Sequence, residues 1–117
     1  MTSIEFNTFH GCEGLTSIYI PSSVTSIKEG AFYGCNNVKT IISKIRNPFP
    51  LNVSQWEEVF YECYGATLYV PLGKKTLYEN VAGWKKFKNI IEVDPEVGDE
   101  IEEKIDDIIF YWCPIKN

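Results

Sequence analysis

The sequence has no long apolar run: its uninterrupted hydrophobic stretches last only a few residues, so none is suited to crossing a bilayer as a helix. It has one histidine, His10, and its four cysteines, at 12, 35, 63 and 113, include no CxxC pair and no close Cys/His cluster, which leaves a zinc site without support. It has no phosphate-cradling glycine loop, no dinucleotide fingerprint and no nucleophile elbow. An excess of basic residues is missing too. Residues 1 to 91 hold nine Lys/Arg and seven Asp/Glu, residues 92 to 117 hold two and nine, and the net charge is -5, so nucleic acid is not expected as a partner. The segment Met1-Thr2-Ser3-Ile4-Glu5 lacks the basic start and apolar stretch of a leader peptide; the chain is expected to be cytoplasmic or to begin after a removed leader.

What is present is globular composition, 117 residues with 44% hydrophobic and 23% charged, enough for one domain with a sizeable core. The chain also repeats itself. At an offset of 23, Ser3-Ile4 falls on Ser26-Ile27, Phe9-His10-Gly11-Cys12 on Phe32-Tyr33-Gly34-Cys35, and Leu15 and Ile18 on Val38 and Ile41. A third, degenerate copy places Phe60-Tyr61-Glu62-Cys63 at 28 residues beyond Phe32, and Leu68-Tyr69-Val70-Pro71 at 50 beyond Ile18, so this unit carries an insertion. A period in the twenties with alternating aliphatics and small turn residues is the pattern of a solenoid built from one supersecondary unit per coil.

Within a unit, Leu15-Thr16-Ser17-Ile18-Tyr19-Ile20 alternates as a strand of about four residues, with Ile18 and Ile20 inward, Tyr19 outward and Pro21 as the stop. Val24-Thr25-Ser26-Ile27 reads as a second, shorter strand on another side of the coil. Gly30 to Cys35 makes a compact turn in which Ala31 and Phe32 point inward and Gly34 takes a positive backbone angle. The spacing of the cysteines follows the repeat, so Cys12 and Cys35 are expected as small buried hydrophobes rather than as redox groups.

The stretch from Leu15 to Cys35 resembles one full unit of the BspA-type leucine-rich repeats of bacterial surface proteins. Ala66 to Gly73, Tyr78, Gly83-Trp84-Lys85-Lys86-Phe87 and Asn89-Ile90-Ile91-Glu92 resemble the element that closes such arrays at their C-terminal end. The resemblance implies an α/β repeat solenoid, a short right-handed coil of small strands with a helical insertion and a C-terminal helical cap. It spans about residues 3 to 92, which sets the expected division into a solenoid with its closing element, 1–92, and an acidic linker with an amphipathic tail, 93–117. It also implies a secreted or surface-exposed bacterial protein engaged in adhesion.

Three further segments carry their own signals. In the insertion at 44 to 60, Ser54 followed by Glu57 fits a capping box, and Val53, Trp56 and Phe60 share one face at helical spacing, with Trp56 expected in the core. Gly73 to Asn80 reads as a short helix with Leu77 and Tyr78 inward, Trp84 and Phe87 as a second turn, and Lys74, Lys75, Lys85, Lys86 and Lys88 as a solvated basic rim. In the tail, Ile101, Ile105, Ile108 and Ile109 form an amphipathic stripe that should dock on something, since a free helix of this length is marginal in water. The basic rim, the uncovered apolar N-terminal coil and another copy of the molecule are the available surfaces, with self-association through these isoleucines favoured.

Catalysis finds no footing. His10 and Cys12 lie two apart in a tight turn, a poor geometry for a Cys-His pair, and the next coil carries Tyr33 where His10 stands. The carboxylates of Glu57-Glu58, Glu102-Glu103 and Asp106-Asp107 are adjacent in sequence and diverge, so they do not flank one bond. No catalytic, cofactor-binding or metal-binding residue is assigned, no cofactor is expected, and the chain reads as a non-enzyme. The expected function is protein or glycan recognition through the outward groups of the strand-lined face, Thr16, Ser17, Tyr19, Thr40, Ile42, Thr67 and Tyr69. The competing reading is a structural piece, a capped array end or self-assembling subunit.

Overall fold

In a computed structural model, residues 2–54 and 57–93 are described. The helical stripe at Ile101, Ile105, Ile108 and Ile109, the expected core position of Trp56 and nearly all of the 93–117 tail lie outside these residues.

The repeat becomes a β-solenoid of about four turns with parallel strands. Strands β2 (Ser17–Ile20), β4 (Thr40–Ser43), β5 (Thr67–Pro71) and β6 (Asn89–Val93) form one parallel sheet in the order β2-β4-β5-β6, and β1 (Ser3–Ile4) pairs with β3 (Ser26–Ile27) in a second. The offset of 23 is also the hydrogen-bond register: Ser17 lies beside Thr40, Ile18 beside Ile41, and Ser3 beside Ser26. Loops keep the same register, with the Thr25 amide donating to the Thr2 carbonyl at 2.7 Å and the Lys39 amide to the Thr16 carbonyl at 2.9 Å. Equivalent residues therefore stack, and one buried side chain per coil builds each core column.

Two columns define the interior. Ile18, Ile41, Leu68 and Ile90 line the inner side of the sheet, each with 6% exposure or less. At the opposite corner, Phe9, Phe32 and Phe60 stack nearly parallel with centroids 5.3 and 5.4 Å apart, and Trp84 and Phe87 close the column against Phe60. Gly34 turns the chain beside this stack with φ +77°, a region that L side chains rarely adopt, as the repeat pattern requires.

The insertion departs from expectation: 57–62 is a series of turns, and no helix forms among the described residues of 44–60. The Ser54 hydroxyl does not act as the cap. Instead the Asn52 side-chain oxygen accepts from the Ser54 amide at 2.7 Å, the Asn52 carbonyl accepts from the Val59 amide at 3.1 Å, and the loop is fixed around Asn52. Val53 and Phe60 do not share a face, since Val53 is exposed and Phe60 is buried. Glu58, also buried, accepts from the Tyr64 hydroxyl at 2.7 Å and pairs with the Lys86 ammonium, tying the insertion to the last turn.

Downstream, α1 spans only Lys75–Tyr78, followed by a 3-10 turn at Trp84–Lys86. Tyr78 is buried, but Leu77 is exposed rather than inward: neighbours on a single helical turn point about 100° apart, so only one meets the core. The Tyr78 hydroxyl donates to the Ile45 carbonyl and accepts from Ser43 at 2.7 Å, while Ser43 accepts from the Ile45 amide at 3.3 Å.

Burial pushes the Tyr78 hydroxyl well above its ordinary range, and burial together with the hydrogen bond to Glu58 does the same for Tyr64. The Cys63 thiol is raised mainly by burial. In each case the folded state holds its proton after the unfolded chain has released it, so the stabilisation is complete below the unfolded values, near 8.5 for cysteine and 10 for tyrosine, and is lost as pH rises beyond them. The midpoint of urea unfolding should thus stay flat to about pH 8 and fall progressively through about pH 11, with a shallower fall in Tyr78→Phe; a flat profile to pH 11 would refute these placements.

Candidate functional site

The outer side of the sheet carries two rows set by strand register. The first is polar: Ser17, Thr40, Thr67 and Asn89, with Thr16 exposed at the entry to β2. The second is Tyr19, Ile42, Tyr69 and Ile91. Alternation of strand side chains puts both rows on one face, with Ile18, Ile41, Leu68 and Ile90 on the other.

The second row is not uniformly open. Tyr19 is 0% exposed and Ile42 7%, whereas Tyr69 is partly exposed and Ile91 reaches 45%. Tyr19, expected as an outward contact group, is therefore buried, and Ile42 with it. Period-two alternation fixes which side of a sheet a residue takes; it does not say whether that side meets water. Of the seven expected contact residues, Thr16, Ser17, Thr40, Thr67 and Tyr69 retain accessible surface. Asn89 and Ile91, which the expected set did not include, continue both rows on β6 in register with Thr67 and Tyr69, on the strand anticipated at Ile90-Ile91.

A second feature, partly exposed at His10 and Tyr33 and exposed at Tyr61, runs along the turn corner. His10, Tyr33 and Tyr61 stack outside the phenylalanine column with centroids 5.0 and 4.7 Å apart. These rings follow from the same register, one turn position per coil. The lysines of the last turns, Lys75, Lys85, Lys86 and Lys88, are exposed, and Lys74 is intermediate.

Two expectations about the first coil are corrected. Cys12 is disulfide-bonded, whereas Cys35 and Cys63 are buried thiols, so the shared repeat position does not give all three the same chemistry. A bonded Cys12 has no thiol for His10 to activate. The first coil was also expected to expose an apolar end; Phe9, Leu15, Ile18 and Ile20 are each exposed by 4% or less, and of its large apolar side chains Phe6 stands open, at 60%.

Among the described residues no group of three or more His, Cys, Asp or Glu side chains is placed to hold a metal ion, and no helix is long and apolar enough to cross a membrane. A groove of about 520 Å³ between Thr25, Arg46 and Phe49 presents the Arg46 cation and the hydroxyls of Ser22 and Thr25.

The profile of the family described as BspA type leucine rich repeat region matches in six copies over residues 2–117. Neither the curated proteins nor the solved structures give a match. With its period of 23, its stacked parallel strands and a profile match over nearly its whole length, the chain belongs to the BspA-type leucine-rich repeat family, whose repeats generally mediate protein interactions.

Proposed function

We propose that this chain is a non-enzymatic recognition module of a bacterial surface or secreted protein, which adheres to a protein ligand through the open part of its strand-lined face. The observation that carries this reading is the outer apolar row, which emerges from burial at Tyr69 and Ile91 beside the polar row of Thr40, Thr67 and Asn89. An aromatic and an aliphatic anchor flanked by hydroxyl and amide groups on a rigid sheet form the centre and rim of a protein-binding patch. A rigid sheet loses little freedom on binding, which favours affinity from a small area. Thr16 and Ser17 extend the polar row at its far end. A glycan stacked on Tyr69 is the alternative ligand for the same patch. In this reading residues 1–92 are the working solenoid, coiled in the right-handed sense, and α1 with the 3-10 turn at Trp84–Lys86 closes its C-terminal end.

The test is a binding screen of the whole chain against immobilised matrix proteins, cell-surface proteins and glycans, followed by the double substitution Tyr69→Ala and Ile91→Ala. For any ligand found, the double variant is expected to bind at least about 10-fold more weakly, since central anchors contribute upwards of about 1 kcal/mol each. Thr25→Ala, on the loop before β3, serves as the control and should bind like the unaltered chain. Full binding by the double variant, with loss confined to substitutions elsewhere, would remove the strand face from consideration.

A further inference from the structure

We propose that the groove between residues 22–25 and 45–49 is a second binding site, separate from the strand face, and that its ligand is a carboxylated sugar. The groove lies where the third coil departs from the repeat. The main sheet runs on through β4, β5 and β6, but among the described residues no third strand joins β1 and β3. By the offset of 23, Asn47-Pro48-Phe49-Pro50 occupies the positions equivalent to Val24-Thr25-Ser26-Ile27. Pro48 and Pro50 have no amide to give to a ladder, so β3 stays the edge of its two-stranded sheet. The space between the two segments is about 520 Å³, within the range of about 300–1,000 Å³ usual for small-ligand sites.

Both walls are fixed. On one side, the Val24 amide donates to the Pro21 carbonyl at 3.1 Å and the Thr25 amide to the Thr2 carbonyl at 2.7 Å. On the other, Arg46, Asn47 and Pro48 are suspended between two carbonyls held by aromatic side chains of the last turns. The Ile45 carbonyl accepts from the Tyr78 hydroxyl, and the Phe49 carbonyl accepts from Trp84 Nε1 at 2.9 Å. Val24 and Ile45 are buried and give the groove an apolar floor. A site fixed in this way loses little freedom on binding.

The lining selects the ligand. Arg46 is exposed and, among the described residues, has no hydrogen bond or ion pair, and no Asp or Glu lines the groove. Its guanidinium is always charged and presents a planar fork that matches a carboxylate. Ser22 Oγ and the Asn47 carboxamide each donate and accept, as sugar hydroxyls do. Thr25 adds no free proton, because its hydroxyl donates to the Thr2 carbonyl at 3.1 Å. Phe49 is half-buried against the core and supplies an aromatic surface. A pyranose ring bearing a carboxylate answers each group: the acid meets Arg46, ring hydroxyls meet Ser22 and Asn47, and an apolar C–H face meets Phe49. An Asp or Glu side chain of a peptide would engage Arg46 and leave the hydroxyl-pairing groups to water, which favours the sugar.

The test is a titration of the isotope-labelled whole chain with methyl β-glucuronide and methyl α-sialoside, followed through backbone amide NMR shifts. At least one of the two is expected to give saturable shifts at Val24, Thr25, Ile45, Arg46 and Asn47. Its methyl ester, which keeps the ring but loses the charge, should bind at least about 10-fold more weakly. Arg46→Gln should bring the acid down to the level of its ester with the urea midpoint unchanged, and Phe49→Leu should weaken acid and ester alike. The groove lies beyond the ends of β2 and β4, so Tyr69→Ala/Ile91→Ala should keep full sugar binding, and the two sites succeed or fail separately. Three results would each overturn the proposal: no saturable shift at these residues with either sugar, equal binding of acid and ester, or an acetylated glutamate amide binding as tightly as the sugars.

Discussion

Phe32→Ala is expected to lower folding stability by about 3–5 kcal/mol, as measured by urea unfolding. Phe32 is 0% exposed and sits between Phe9 and Phe60, with ring centroids 5.3 and 5.4 Å away and planes within 2° of parallel. Removing the ring leaves a void between two neighbouring rings, while the successive coils stay tied to one another by hydrogen bonds from the Phe9 amide to the Ala31 carbonyl and from the Phe32 amide to the Val59 carbonyl. The backbone register resists collapse into that void, so the cost belongs at the upper end of the range. A domain of this size is typically stable by about 5–15 kcal/mol, so the loss removes a large share of the total. Phe32→Leu should recover roughly half of it by refilling part of the volume. A loss below about 1 kcal/mol for Phe32→Ala would mean that the column is not the core.

The second large effect is expected at Gly83, through the backbone rather than through lost contacts. Gly83 precedes the 3-10 turn with φ +89° and ψ -59°, outside the regions open to L side chains. A Cβ there would stand 2.6 Å from the Leu51 Cβ, and the Leu51 backbone is itself held by its amide donating to the Ala82 carbonyl at 3.0 Å. Gly83→Ala should therefore cost about 2–4 kcal/mol, combining backbone strain with a contact that neither partner can easily release. Leu51→Ala retains its Cβ, so it should rescue little in the double variant; near-complete rescue would show that only the outer carbons of Leu51 clash and that the backbone angle is harmless. Because Trp84 Nε1 donates to the Phe49 carbonyl at 2.9 Å in the same neighbourhood, Trp84 emission provides a local readout of the shift.

The coil was legible because its determinants are periodic. An offset of 23 in the sequence is literally the strand register, and apolar residues at matching offsets, such as Ile18 and Ile41, had to share a column. The insertion was misread because Ser54 and Glu57 have capping-box spacing whether or not a helix follows; the competing Asn52 side chain settled the matter by taking the Ser54 amide. Leu77 and Tyr78 failed as an inward pair because one helical turn has only one inner side. The recognition surface was half legible. Period two gave the correct side for Thr40, Thr67 and Tyr69, but alternation carries no information on the burial of Tyr19 and Ile42, and equal repeat positions do not separate the disulfide-bonded Cys12 from the thiols of Cys35 and Cys63. Residues such as Asn89 and Ile91 join the face only through long-range parallel pairing with β5.

The most direct test of the recognition account is the molar mass of the whole chain by light scattering over a wide concentration range, compared with Ile91→Asp. The account predicts a monomer of 13.4 kDa at every concentration for both proteins, with the face of Tyr69 and Ile91 left open for a different partner. A dimer or larger assembly that Ile91→Asp returns to monomer would contradict it, because the strand face would then be occupied by another copy of the same chain and the protein would be a structural subunit.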